Sequence, residues 1–399
     1  MKQSNDMYEK KNVVIGVCGG IAAYKALDVV SRLKKKNINV DVIMTKSACQ
    51  FVNPLSFQAL SQNRVVYDMF SEPVSFEIQH ISLAKKADVF AIVPATANVI
   101  GKIANGIADD MLTTTVMATK SKVLIAPAMN CNMYANSIVQ DNINKLKSYG
   151  YHFVEPESGR LACGDVGKGK LADTEIITDA ILSMLYSPKN LLKKNVLVTA
   201  GPTISPIDPV RFITNRSSGK MGYAIACEAR DRGADVTLVS GPVNIKNPYN
   251  INVINVNTNA EMLEALLKYY DKSDIVIKAA AVADYKIKEY SSEKIKKSGS
   301  DLMLDFVRDT DILEYLGKKK TKQLLVGFAA ESSNLLMNAK EKIKKKNLDY
   351  IVANDITPKD SGFASSDNRV TIISKSGEVK ALEKMSKREV AKQLFDFIC

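Results

Sequence analysis

The 399-residue sequence predicts an α/β protein of two three-layer domains, each with a mainly parallel sheet between layers of helix. Three observations carry that expectation. Short β-branched runs alternate with helical stretches along the chain. The opening strand pattern is repeated once, near the middle. A polar stretch containing proline separates the two series. A chain of this length exceeds one ordinary hydrophobic core, and two domains of about 200 residues are the expected division.

Val13-Val14-Ile15-Gly16-Val17 reads as a buried first strand, followed by glycines and a helix over 22–36. A second strand covers 40–45. A third covers 87–96, ending in Pro94-Ala95-Thr96-Ala97-Asn98. The strand over 122–129 repeats that design and ends in Pro127-Ala128-Met129-Asn130. Ser187-Pro188-Lys189-Asn190 breaks the pattern, and Lys194-Asn195-Val196-Leu197-Val198 then echoes Lys11-Asn12-Val13-Val14-Ile15. The domains are therefore expected at 1–189 and 190–399. The second continues with a helix over 219–232 and a strand over 234–240. Further strands follow over 274–282, 323–329, 350–353 and 370–373, with a lysine-rich polar excursion near 285–300. In such sheets ligands lie beyond the carboxyl ends of the strands, so one site per domain is expected.

Hydrophobic residues make up 46% and charged residues 25%, an ordinary globular composition. No run approaches the roughly 18 apolar residues that cross a bilayer. The first ten residues are polar and show no secretory signal, so a cytoplasmic location and no membrane partner are expected. The net charge of +12 owes much to runs such as Lys34-Lys35-Lys36, Lys318-Lys319-Lys320 and Lys344-Lys345-Lys346. These runs lack aromatic interleaving and any nucleic-acid module signature. They read as solvated faces or as charge for small phosphorylated substrates, with no nucleic-acid partner. The six cysteines form no CxxC pair, and only two histidines accompany them, which argues against a zinc site or a disulfide scaffold.

Gly16-Val17-Cys18-Gly19-Gly20-Ile21-Ala22-Ala23 leaves a strand and opens a helix, where glycines let backbone N–H groups approach an anion. A dinucleotide fingerprint would need glycine at Cys18 and at Ile21. The second strand ends at Thr45-Lys46 without an acidic residue for an adenosine ribose. A mononucleotide phosphate such as that of FMN is favoured over NAD, with a ligand-free tight turn as the alternative. Asn98 and Asn130 follow strand ends, where a carboxamide either contacts a ligand or caps a helix. His80, at an expected helix start, is a proton carrier or a structural histidine. Cys163 lies in a glycine-rich polar loop, Ser158 to Gly169, that suits a flap over a substrate.

With these residues in hand, the segment from Gly16 to Gly169 resembles flavin-dependent phosphopantothenoylcysteine decarboxylases. The resemblance lies in Gly19-Gly20-Ile21-Ala22, the His80 segment, Pro94 to Asn98, Ala108-Asp109-Asp110, Pro127 to Asn130 and Ala162-Cys163-Gly164. Residues from 195 onward resemble phosphopantothenate–cysteine ligases. The matching pieces there are Arg211 to Gly222, Ala279 to Tyr285, Lys294-Ile295-Lys296-Lys297 and Gly327 to Glu331. The order is that of the fused bacterial enzyme of coenzyme A synthesis. The resemblance implies a flavodoxin-like or Rossmann-like first domain and a Rossmann-like second domain.

In the first domain it implies an FMN site at Gly19, Gly20, Ile21, Ala22, Thr45, Thr96, Ala97 and Asn98. Cys163 is the implied proton donor and His80 an earlier proton carrier or substrate binder. Met129 and Asn130 are implied to bind substrate. The flavin oxidises the thiol side chain, carbon dioxide leaves as an enethiol forms, and reduction then gives phosphopantetheine. In the second domain it implies a CTP-dependent ligation of cysteine to phosphopantothenate through an acyl-CMP. Lys294 and Asn215 are the implied catalytic residues, with Arg211, Asn215 and Ala280 at the acyl substrate. Asp284, Lys294, Thr310, Asp311, Ile312, Leu313, Phe328, Lys342 and Lys346 are implied at the nucleotide. Mg²⁺ is expected with CTP, without assigned ligands. A homo-oligomer as large as a dodecamer is implied.

Two departures stand out. Tyr134 replaces a tryptophan common in the family and is expected to alter the rim of the site. Asp309-Thr310-Asp311-Ile312 lacks the family's proline, which is expected to relax a turn near the nucleotide.

Overall fold

The computed structural model describes Tyr8 and residues 10–70, 78–162, 164–296, 302–331, 335–355 and 367–399. The chain divides into two compact units, Met1–Tyr186 and Ser187–Cys399.

In the first unit, β1 (Asn12–Val17), β2 (Asn39–Met44), β3 (Val89–Ala95), β4 (Lys122–Pro127) and β5 (His152–Phe153) pair in the order β2-β1-β3-β4-β5. All these pairings are parallel. Each residue of β3 is buried, as a strand covered on both faces requires. The helices are α1 (Ala26–Lys34), α2 (Pro54–Ser61), α3 (Gln79–Lys86), α4 (Ala97–Ala104), α5 (Met111–Ala118), α6 (Cys131–Ala135), α7 (Ser137–Ser148) and α8 (Thr174–Leu185). The expected single helix over 22–36 is divided: a 3-10 turn, Ile21–Lys25, precedes α1. Gly20 offers no side chain to cap the exposed N–H groups, and the tighter turn leaves fewer of them unpaired. The loop expected over 158–169 is largely an antiparallel ribbon, β6 (Glu157–Arg160) with β7 (Val166–Lys170).

The second unit contains β8 (Asn195–Ala200), β9 (Ile204–Pro206), β10 (Phe212–Thr214), β11 (Asp235–Ser240), β12 (Asn252–Asn255), β13 (Ile275–Lys278) and β14 (Tyr285–Ile287). These are followed by β15 (Phe306–Arg308), β16 (Leu324–Glu331), β17 (Tyr350–Asp355), β18 (Asp367–Asn368), β19 (Val370–Ser374), β20 (Val379–Ala381) and β21 (Met385–Ser386). The main sheet runs β12-β11-β8-β13-β16-β17-β19-β20, parallel as far as β17 and antiparallel at β19 and β20. Its helices are α9 (Lys220–Asp231), α10 (Asn259–Tyr270), α11 (Ile312–Lys319), α12 (Leu335–Lys345) and α13 (Lys387–Ile398). Alternation along β8 shows the three layers. Val196 and Val198 join a core containing Ile225 and Leu394, whereas Leu197 joins one containing Met262 and Leu316. Arg232 is fully buried where α9 meets α13, giving Nε to Glu228 at 2.7 Å and Nη2 to Asp396 at 2.5 Å.

Many helices begin on a side-chain oxygen that accepts an early backbone N–H: Asn53, Thr96, Asp110, Asn136 and Asp173 in the first unit, Thr258, Asp311 and Ser386 in the second. The three lysine triplets all fall at the ends of helices, α1, α11 and α12, where cations meet the carbonyl end of the helix dipole. Much of the positive charge therefore has a structural location. Among the described residues no helix is long and apolar enough to cross a membrane.

Candidate functional site

The order in which strands are added to the first sheet reverses between β1 and β3, which lie side by side with β2 and β4 outside them. Loops leaving two such strands diverge and open a crevice at their carboxyl ends. A cavity of about 970 Å³ lies there. Gly19, Gly20, Ile21, Ala22, Thr45, Thr96, Ala97, Asn98, Met129 and Asn130 all line it. These residues span four strand ends. The glycine pair has two distinct roles: a Cβ on Gly19 would come within 2.3 Å of the Ser47 Cβ, so packing demands glycine there. A Cβ on Gly20 would meet nothing closer than Thr96 Cγ2 at 3.9 Å, so glycine at 20 instead leaves open backbone toward the cavity.

The Thr96 hydroxyl accepts Val99 N–H at 3.4 Å and the Asn130 side chain accepts Asn132 N–H at 2.8 Å. Both residues therefore cap helices while also lining the cavity. Met44, Met69, Met111 and Met133 join Met129 in the wall, giving polarizable apolar surface suited to a flat ring. Sequence reasoning did not pick out these methionines, whose spacing along the chain gives no sign that they meet. The cavity also takes Asp109 and Asp110, with Lys102 2.7 Å from Asp109. Cys18 lies beneath this floor, fully buried, and burial pushes its thiol up to about 12. It is packing, not a reactive thiolate.

The ribbon β6–β7 closes on α6. Gly169 O accepts Met129 N–H at 3.0 Å, and Asn130 Nδ2 donates to Asp165 at 2.8 Å. Arg160, Leu161 and Ala162 from this ribbon and its turn line the cavity. Cys163 falls outside the described residues. His80 is half-buried in the first turn of α3 and is not among the residues lining the cavity. Tyr134 differs from its expected place at the rim. It is buried and its hydroxyl donates to Glu155 at 2.6 Å, because a buried phenol needs a polar partner.

In the second unit the reversal falls between β8 and β13. The loops leaving these strands are joined by Thr199 Oγ1, which accepts Ala280 N–H at 3.1 Å, and by Gly201 O, which accepts Ala281 N–H at 2.9 Å. Asn215 Nδ2 donates to the carbonyls of Ala281 at 3.2 Å and Val282 at 3.1 Å. Arg211 donates to Ile295 O at 2.7 Å, while Asp208 accepts Ile295 N–H at 3.2 Å. Burial would raise the Asp208 carboxyl, but amides of Val210, Arg211 and Ile295 hold it below its usual range. Arg211 is thus tied to the residue that follows the exposed Lys294, and Asn215 to the loop that carries Ala280.

A second group surrounds the start of α11. Asp311 accepts Glu314 N–H at 3.0 Å and pairs with Lys346 at 2.6 Å. Burial opposes ionisation of Asp311, yet Lys346 and the helix amide hold its carboxyl below the usual range. Asp284 O accepts Asp309 N–H at 2.9 Å, bringing Asp284 to the same turn. Lys342 lies one helical turn before Lys346, and Phe328 stands on β16 against the core. The side chains of Ile312 and Leu313 are buried in the core, so only their backbone can face a nucleotide. The turn is not relaxed by the missing proline: Thr310 N–H donates to Asp309 at 2.8 Å and Thr310 O accepts Asn259 at 2.9 Å. Proline could not make the first of these bonds.

A separate cavity of about 790 Å³ borders the start of α9, with Ser217, Ser218, Lys220 and Asn257 in its lining. Ser217, Ser218 and Lys220 belong to the Arg211-to-Gly222 segment singled out from the sequence, but none of the residues given a role there lines the cavity. Gly219 holds the left-handed region there at φ 74°, and Lys220 supplies a cation at the amino end of α9.

Residues 1–186 match the family model described as Flavoprotein, and residues 191–399 match that of the DNA/pantothenate metabolism flavoprotein C-terminal domain. The chain is 49% identical over 395 residues to the coenzyme A biosynthesis bifunctional protein CoaBC of Bacillus subtilis (strain 168), covering 98% of this chain and 97% of that protein. The protein of the same name from Borreliella burgdorferi is 43% identical over 395 residues, covering 98% of this chain and 100% of the relative. A crystal structure of the C-terminal domain of a CoaBC protein covers 53% of this chain and 96% of its own, at 44% identity and a TM-score of 0.46.

Proposed function

The chain belongs to the family of bifunctional coenzyme A biosynthesis proteins, and from that premise we propose which residues perform its two reactions. It is an enzyme with CTP-dependent phosphopantothenate–cysteine ligase and FMN-dependent phosphopantothenoylcysteine decarboxylase activities. We assign decarboxylation to the first unit and ligation to the second. The observation that carries the first assignment is the convergence of four separate strand ends on one 970 Å³ cavity at the reversal of strand order.

FMN suits this cavity, because open backbone at Gly20 faces it and methionines wall it. Gly19, Gly20, Ile21 and Ala22 hold the cofactor with Thr45, Thr96, Ala97 and Asn98. When bound, FMN accepts and returns two electrons, which keeps decarboxylation redox-neutral overall. Met129, in the cavity wall, would flank it, and Asn130 would take the substrate carboxylate through its carboxamide N–H. Leu161 and Ala162 reach the cavity, which supports placing the thiol of Cys163 as donor of the last proton. His80 does not line the cavity of its own chain. We assign its proton transfer to the cavity of a neighbouring subunit in a homo-oligomer, for which a dodecamer is the largest expected form.

In the second unit, a carboxylate oxygen of phosphopantothenate attacks the α-phosphorus of CTP and pyrophosphate leaves. The cysteine amine then attacks the acyl carbonyl, loses a proton, and CMP leaves. Arg211, Asn215 and Ala280 position the acyl group, and Lys294 supplies positive charge as it is transferred. Asp284, Phe328, Lys342, Lys346 and the turn from Thr310 to Leu313 hold the nucleotide. Mg²⁺ bound with the triphosphate would offset its charge.

The test is an absorption spectrum of the purified chain paired with a CMP-release assay. Flavin bands, and CMP formed only when CTP, phosphopantothenate and cysteine are all supplied, are expected. A colourless protein that takes up no added FMN overturns the first assignment, and intact CTP in the complete mixture overturns the second.

A further inference from the structure

Lys278 ends a strand that has no other charged residue: Ile275, Val276 and Ile277 before it are buried in the sheet. The register places it opposite Thr199 of β8 and Gly327 of β16. It therefore stands beside the reversal of strand order, where a crevice opens and a ligand enters. A lysine at the end of an apolar central strand needs a reason, because desolvating an ammonium is costly without an anionic partner.

Its protein neighbours do not supply that partner. The contact from its Nζ is to Ala280 O at 3.5 Å, and among the described residues no carboxylate lies within ion-pair distance of it. Asp311 is already engaged twice, by Lys346 at 2.6 Å and by the Glu314 amide. The charged groups around Lys278 are Asp311, Lys346 and Asp284. Thr199 and Gly327, its partners in the flanking strands, add no charge. Asp311 thus serves other contacts and Asp284 is exposed, so the ammonium of Lys278 is left suited to an added anion.

We propose that Lys278 is a further nucleotide-binding residue, whose ammonium takes a phosphate oxygen of CTP during acyl activation. The proposal rests on the assignment of ligation to the second unit. Lys278 would act alongside Lys342 and Lys346, from a strand end rather than from a helix. Part of the residue is exposed, but burial of the ammonium pushes its pKa down to about 8, with Lys346 adding to the effect and Asp311 and Asp284 opposing it. Above that pH the free enzyme carries a neutral amine at 278, so binding of the triphosphate draws in a proton. Apparent CTP affinity should weaken as pH rises past 8.

The experiment compares the full-length chain with Lys278→Met and Lys278→Gln in steady-state CMP release. A charge-assisted hydrogen bond of ordinary strength corresponds to about a ten- to hundredfold rise in KM for CTP. The KM for cysteine should stay unchanged in both variants. The rise of KM for CTP between pH 7.5 and 9, on the order of severalfold in the parent, should be lost. Since no ion pair is broken, thermal unfolding of Lys278→Met should match the parent. Unchanged KM for CTP in the folded Gln variant overturns the proposal, as does a defect confined to the cysteine step. Failure of the parent chain itself to release CMP removes the underlying assignment instead.

Discussion

Glu155 holds three partners on one carboxylate: Lys147 at 2.8 Å, Lys168 at 3.0 Å and the Tyr134 hydroxyl at 2.6 Å. Burial alone would raise its carboxyl, but these donors bring it down from 4.5 to about 2. A folded-state pKa below the unfolded value adds stability above about pH 4.5, which is lost as pH falls toward 2. The group is partly exposed, so after solvent screening the contribution is about 1 kcal/mol. Glu155→Gln should thus unfold more easily in urea at pH 7, with that difference shrinking below about pH 4.5 and largely gone near pH 2. Equal stability at pH 7 would show that the cluster adds nothing. Tyr134 illustrates why one residue type resists reading from sequence. An aromatic side chain after the Pro127-to-Asn130 segment suits either a cavity wall or the core. Only the position of a carboxylate 21 residues later decides between them.

At the scale of elements, the β6–β7 ribbon is the part most closely tied to the first cavity. The segment from Ser158 to Gly169 is glycine-rich in sequence, but most of it pairs as strands. Gly169 is where it approaches α6 most closely: an added Cβ would stand 2.4 Å from the Met129 carbonyl oxygen, which is backbone and cannot turn aside. Gly169→Ala should displace the ribbon by about an ångström and lower kcat/KM for decarboxylation by about a hundredfold. Flavin absorbance and CMP release should persist. An unchanged decarboxylation rate would mean that the ribbon does not need its seat on α6. The ribbon also occupies Asn130 through Asp165, so a substrate carboxylate reaching that carboxamide must exchange with the flap. Helices show the complementary case. Their starts were legible because a capping oxygen and the following apolar spacing are both local.

For the whole molecule, each unit has its own hydrophobic core. One is centred on residues such as Phe90 and Ile125, and the others draw on Val198, Leu197 and Leu266. Division of labour between units follows from this, and it permits a test across chains. His80→Asn and Cys163→Ser chains, each inactive in forming phosphopantetheine, are expected to regain about a quarter or less of parental activity when co-expressed. That recovery requires His80 of one chain to serve the cavity of another. Mixed oligomers with no recovery would return His80 to a structural or same-chain role. On its own, Cys163→Ser should still release carbon dioxide and accumulate the unreduced enethiol, as mass spectrometry of the product would reveal.

The sequence by itself carried the alternation of strand and helix, the expectation of two domains, and the concentration of polar residues at strand ends. These follow from periodicity, capping and turn chemistry, all of which act over a few neighbouring residues. Family resemblance added the chemistry. Tertiary structure decided which strand ends meet, because β1 pairs with β3 and β8 with β13 across whole helices. Only that pairing gathers Gly20, Thr96 and Asn130 around one cavity, holds His80 away from it, and sets Lys278 near Asp311 and Lys346. Local preference fixes what each segment is. The order of strands in a sheet, set by burying both faces at once, fixes what each segment faces.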